Sequence, residues 1–186
     1  ETFEWWKDQV SKHRDKIVVT AHHYALKETT FASGLWEGMR KDPEGNWIQD
    51  YHRYIKEGAP AGASFLCWVG GRFDSGQFER FLDDNPGAVD MWFAGHTHSN
   101  PDDRKGGRGC FERAYGNTMF MNICALTRYM VPDKAIPHSW LLTFTEGSDR
   151  VRAQCYMHTD EYRPQGWYDE AERWIDLTTE FQFDNA

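Results

Sequence analysis

The sequence is short of paired cysteine, of net positive charge and of long apolar runs, and each shortage removes a class of function. Its four cysteines, Cys67, Cys110, Cys124 and Cys155, stand far apart. None makes a C-x-x-C pair, so a cysteine zinc site or a dithiol redox motif has no ligands. Thiols scattered in this way are expected to be buried or free in a reducing, cytoplasmic compartment, with disulfides as the alternative. No stretch approaches the ~18 to 20 apolar residues of a membrane-spanning helix. Lys and Arg total 21 against 29 Asp and Glu, a formal net charge of −8. That charge repels a nucleic-acid backbone and disfavours binding through a broad basic face. A bound cation alters the field locally, so a phosphate held at a metal stays open. The Gly-x-Ser-x-Gly elbow of a serine hydrolase and the spacing of a P-loop are missing too.

What is present is enough to fold. Of 186 residues, 40% are hydrophobic and 16% aromatic, with nine Trp, which suits one domain with a proper core. Phe3, Trp6 and Val10 repeat at helical spacing. IVVT, Ile17 to Thr20, reads as a buried strand ending in His22 and His23. DSGQFERFLDD starts a helix with a capping pair, Asp74 and Gln77, and buries Phe78, Phe81 and Leu82. Strands are expected over Val89–Ala94 and Thr118–Ala125, and HSWLLTF and RVRAQCYMH form an antiparallel hairpin across EGSD. DEAERWIDLTTEF sets Ala171, Trp174, Ile175, Thr178 and Phe181 on one helical face. The sum is a single mixed α/β domain over residues 1–186 with an antiparallel end. Residues 24–73 read as an insertion or lid-like loop region.

The chemistry gathers in FAGHTHSNPDD. In an extended segment residues i and i+2 share a face, which puts the His96 and His98 rings side by side, about 6 to 7 Å apart at Cα. Gly95 frees the backbone to turn where a side chain would crowd an ion. Neutral imidazole is a ligand for zinc, manganese and iron. On their own, two histidines in an exposed turn are equally ordinary. His22 changes the balance, because it too stands at a strand end. Parallel strands bring their C-terminal ends to one sheet edge, where α/β proteins build sites.

AHH after IVVT, GHTH after VDMWFA, then MFMN and a hairpin running into YMH resemble the last blocks of the calcineurin-like metallophosphoesterases. The likeness covers most of the chain, from Trp5 to about His158. It implies part of a four-layer α/β/β/α sandwich with two metal ions, manganese, iron or zinc. It also implies a metal-bridging hydroxide that attacks a phosphoester, as in a phosphatase or phosphodiesterase. By position, His22 and His96 would bind one ion and His98 the other, while His23 would support them or face the substrate.

The sequence departs from that pattern in its first half, since no D-x-H precedes AHH and G-D-x-x-D and G-N-H-D or G-N-H-E are absent. Those blocks carry the bridging carboxylate, the Asn ligand and the leaving-group acid. Three neutral imidazoles lack the negative charge that holds two dications together. With Glu1 as its first residue, the chain reads as the C-terminal part of a longer enzyme, or one fragment of a cleaved one, whose N-terminal half or partner chain completes the site. Two alternatives stand beside the phosphoester hydrolase: a non-catalytic metallophosphoesterase-like binding or interaction module, and a mononuclear His₃ zinc hydrolase.

Weaker signals surround these. Trp36, Trp47, Tyr51, His52 and Tyr54 are candidates for stacking on a substrate, or for packing the insertion onto the domain. Arg104, Lys105 and Arg108 in DRKGGRG are candidates for a phosphate contact or a solvated loop. Asp102 and Asp103 would accept imidazole N–H groups or form an ordinary turn. His13, His138 and His158 read as surface or packing histidines.

Overall fold

The computed structural model describes residues 2–23, 25–26, 29–30, 44, 76–95, 100–104, 108–123, 126 and 136–183. Nearly all of the expected insertion, with its aromatic residues and His52, lies outside these residues, as do Asp74 of the expected capping pair and the two histidines of GHTH. Helix α1, Thr2–Lys12, buries Trp6 and Val10, four residues apart and so on one face. Helix α2, Gly76–Asp84, buries Phe78, Phe81 and Leu82 as the spacing predicts. It ends where Asn85 Nδ2 donates to the Phe81 carbonyl at 2.8 Å, satisfying a last-turn acceptor just before Pro86.

The strands are β1 (Val19–Ala21), β2 (Met91–Ala94), β3 (Phe111–Ala114), β4 (Thr118–Asn122), β5 (His138–Phe144), β6 (Arg150–Met157) and β7 (Gly166–Asp176). The first sheet has the order β1-β2-β4-β3, with β1, β2 and β4 parallel and β3 antiparallel to β4. The second is an antiparallel β5-β6-β7 meander that contains the expected hairpin. One face of the first sheet, through Trp92, Ala94 and Phe120, packs on Trp6, Phe78, Phe81 and Leu82 of the helices. The other face, through Met91, Phe93 and Met121, packs on Val151, Ala153, Ile175 and Leu142 of the second sheet. The described residues therefore make three layers, helix, sheet and sheet. The outermost helical layer of a four-layer sandwich is not among them.

Three sequence expectations change. The run IVVT does not give a buried strand, because among the described residues β1 is an edge of its sheet and Val19 and Ala21 are exposed. Strand β3 went unread, and it is set by the turn that joins it to β4. Gly116 and Asn117 both take positive φ, 60° and 68°, as a type I′ turn demands. Gly116 also lies against α2, where a Cβ would come within 2.0 Å of the Leu82 carbonyl oxygen. Finally, DEAERWID is strand β7 and not a helix. Its register against β6 slips between Ala153 and Cys155, where Ala153 pairs with Arg173 and Cys155 with Tyr168. The extra β7 residues form a bulge, so the buried side chains fall at Tyr168, Ala171 and Ile175. Spacings of three and four are those of a helix, and the bulge produces them in a strand.

One buried carboxylate ties the frame together. Asp90, 2% exposed, accepts the Val18 backbone N–H at 2.8 Å through one oxygen. The other oxygen accepts the Thr178 backbone N–H and hydroxyl, each at 2.7 Å. It thereby joins the approach to β1, the start of β2 and the chain leaving β7.

Candidate functional site

Parallel pairing in the register Ala21 with Phe93 and Ala94 with Asn122 brings the ends of β1, β2 and β4 to one edge. Backbone bonding continues past the strands. His22 N–H donates to the Phe93 carbonyl at 2.9 Å, Gly95 N–H to the His23 carbonyl at 3.0 Å, and Ile123 N–H to the Ala94 carbonyl at 2.7 Å. The AHH segment thus runs beside the Gly95 that opens GHTH. His22 is half-buried, His23 is exposed and Asn122 is buried at the end of β4. The expected ligands His96 and His98 lie outside the described residues; the residue before them is placed next to His23.

The donors described at this edge are two imidazoles and one carboxamide, all uncharged in their ligating forms. They do not fill two coordination shells, and no group of three or more His, Cys, Asp or Glu side chains suited to a metal ion occurs among the described residues.

The loop that follows GHTH is held by other contacts. Asp102 Oδ2 accepts from the Tyr168 hydroxyl at 2.6 Å, the Tyr162 hydroxyl at 3.0 Å and the Arg163 guanidinium at 3.2 Å. Burial pushes the Asp102 carboxyl up, but these three donors and the Arg163 charge outweigh it and hold it below the usual carboxylate range. Asp103 accepts the Asn100 backbone N–H at 2.8 Å, and Asn100 Oδ1 accepts the Ile136 N–H at 2.9 Å. Both aspartates work as turn and clamp residues, fastening the first sheet to the second. Arg104 lines a cavity of about 220 Å³ beside them, whose lining also includes Arg173. Asp102 and Asp103 share that lining and balance the cations, so the cavity does not favour an anion.

A histidine that sequence reading set aside carries the least ordinary environment. His138 is 1% exposed, and its Nδ1 lies 2.7 Å from the Ile136 carbonyl. A carbonyl only accepts, so Nδ1 carries the proton and Nε2 presents a lone pair. Nε2 has no partner. Burial and the nearby His158 push the imidazole below its ordinary value, against the Ile136 carbonyl and Asp103. The signal was available: His138 is in phase with Trp140, Leu142 and Phe144 on a period of two, which points all four inward. Nothing comparable marks Asn100, Tyr162 or Tyr168, whose roles depend on chain brought from 36 residues away for Asn100 and from 60 and 66 for the tyrosines.

No family model matches the chain, and no curated protein does. Among solved structures, a single-mutant Vps29 from Entamoeba histolytica is 19% identical at a TM-score of 0.32. The match covers 62% of this chain and 53% of that one, so the chain spans about half the length of the structure it matches. At that TM-score the likeness carries no argument about fold or function.

Proposed function

We propose that this chain is a metallophosphoesterase-like binding module that carries the histidine half of a phosphoester site and does not turn over phosphoesters by itself. One observation carries the reading: the bonds from His22 to Phe93 and from Gly95 to His23 set AHH beside the Gly95 that opens GHTH, and among the described residues none of the three strand ends brings a carboxylate. The AHH histidines beside the residue that leads into GHTH favour a site for a metal-bound or free phosphoryl group. The lack of a carboxylate among the described strand-end residues disfavours a stable pair of dications.

The same juxtaposition favours a second reading, in which a partner segment supplies the acidic ligands. His22, His96 and His98 are then metal ligands of a phosphatase or phosphodiesterase using manganese, iron or zinc, with His23 toward the substrate. A metal ion there would stabilise charge on the transferring phosphoryl group.

Metal content and turnover decide between them. The chain is purified without chelator, then assayed on p-nitrophenyl phosphate and bis-p-nitrophenyl phosphate with each metal, beside His22→Ala and His96→Ala. Phosphate binding without turnover is the expected result. Turnover with two bound metals, lost in both variants, would overturn the module reading. One metal per chain with turnover would favour the mononuclear His₃ site.

A further inference from the structure

Between the two sheets lies a cavity of about 410 Å³, within the size range of small-molecule sites. Phe93 and Met121 of the first sheet and Trp140 and Leu142 of the second give it apolar walls. Ile123 and Leu126, 40% and 69% exposed, stand on its lining as large apolar side chains in contact with solvent, and mark the mouth. Ile123 directly follows β4 and is bonded to Ala94, so the mouth opens at the histidine edge.

Two buried polar atoms belong to side chains of this lining. His138 Nε2 is an acceptor and Trp140 Nε1 is a donor, and both are closed off from solvent without a partner among the described residues. Their rings stand 6.2 Å apart, edge to face, and both residues line the cavity. Buried polar groups are nearly always satisfied, so two orphans of opposite polarity on neighbouring inward positions call for a group that donates and accepts at once. A hydroxyl does both, and the walls ask for an apolar body behind it. A water molecule would meet the two nitrogens but leave the rest of an apolar cavity unfilled, with fewer partners than buried water usually has.

We propose that this cavity binds a small apolar alcohol, head-first, its hydroxyl donating to His138 Nε2 and accepting from Trp140 Nε1–H. Admitting the hydroxyl takes a small rotation of the half-buried Trp140 ring, which makes that indole the reporter. Such an alcohol is also the alcohol half of an apolar phosphoester; that extension alone rests on the proposed function, and the test below does not use it.

The test is an NMR titration of the whole chain with 1-hexanol and with 1-methoxypentane, an ether of the same size that accepts but cannot donate. The expected result is saturable shifts of the Trp140 indole N–H and the His138 ring nitrogens with hexanol, and about tenfold weaker binding of the ether. In His138→Phe the two probes should bind alike, and Leu142→Trp, which fills the cavity, should abolish both. Absent shifts, equal affinity of the two probes for the native chain, or exchange cross-peaks at the Trp140 indole from water alone in the presence of hexanol would overturn the proposal. A failure here leaves the phosphoester assays untouched, and the converse holds.

Discussion

The two sheets are built on opposite terms. The first is covered on both faces, by helices on one side and by the second sheet on the other, and β2 reads as a nearly continuous apolar run, MWFA. Among the described residues, the second is covered on one face only. Its outer face carries Leu141, Trp167 and Trp174, each about half exposed, and holds itself together by pairs across the strands. Arg152 bonds Glu172 at 2.6 Å, Arg150 lies 5.1 Å from the Trp174 ring centroid, and Tyr156 meets Trp167 edge-on at 5.1 Å. Core packing therefore fixes the first sheet, and cross-strand contacts together with one packed face fix the second.

Replacing one tryptophan in each sheet breaks or sharpens that contrast. Trp92 is 1% exposed, within contact of Trp6, Phe78 and Phe120. Trp92→Ala should cost about 3 to 5 kcal/mol of unfolding free energy, measured by urea denaturation. Next in size is Asp90→Ala, which strands the Val18 and Thr178 donors and should cost about 3 kcal/mol. A cost below about 1 kcal/mol would mean those donors find water and the junction between the sheets is looser than its geometry. Gly116→Ala follows at about 2 kcal/mol or more, since a left-handed residue gains a Cβ that meets the Leu82 carbonyl. Trp174→Ala, by contrast, should stay within about 1 kcal/mol, the usual range for a surface position. If Trp174→Ala costs as much as Trp92→Ala, something covers the outer face in solution, and the contrast fails.

The same contrast explains which parts of the fold could be read from the residues. Helices α1 and α2 announce themselves because a helix covering one face of a sheet needs one apolar stripe, and Trp6, Val10, Phe78, Phe81 and Leu82 supply it. Strands β2 and β4 are legible as apolar runs, and β5 and β6 by alternation. Strand β7 misleads because its bulge turns a period of two into spacings of three and four. Strand β3 has no apolar pattern of its own, all four residues being half-buried, and depends on the Gly116–Asn117 turn. At the candidate site, His22, His23 and the approach to His96 come from strand-end logic, and the backbone places them together. The Asp102 clamp and the His138 environment depend on contacts between the sheets, which one-dimensional spacing does not encode. His138 is the nearest miss, because its phase in β5 pointed inward.

His138 also gives the smallest and most specific prediction, a slope of stability with pH. Its folded value lies below the ordinary 6.5, chiefly because burial disfavours the imidazolium, with His158 adding to that and the Ile136 carbonyl and Asp103 opposing it. The unfolded chain therefore binds a proton that native His138 refuses. Its contribution is fully present above pH 6.5 and is lost as pH falls from there toward the folded value. In His138→Phe that contribution disappears while every other titrating group remains. The drop in urea midpoint between pH 7 and pH 5 should then be smaller in the variant than in the native chain. An equal drop would mean that His138 protonates as readily folded as unfolded, which requires a partner or water at Nε2.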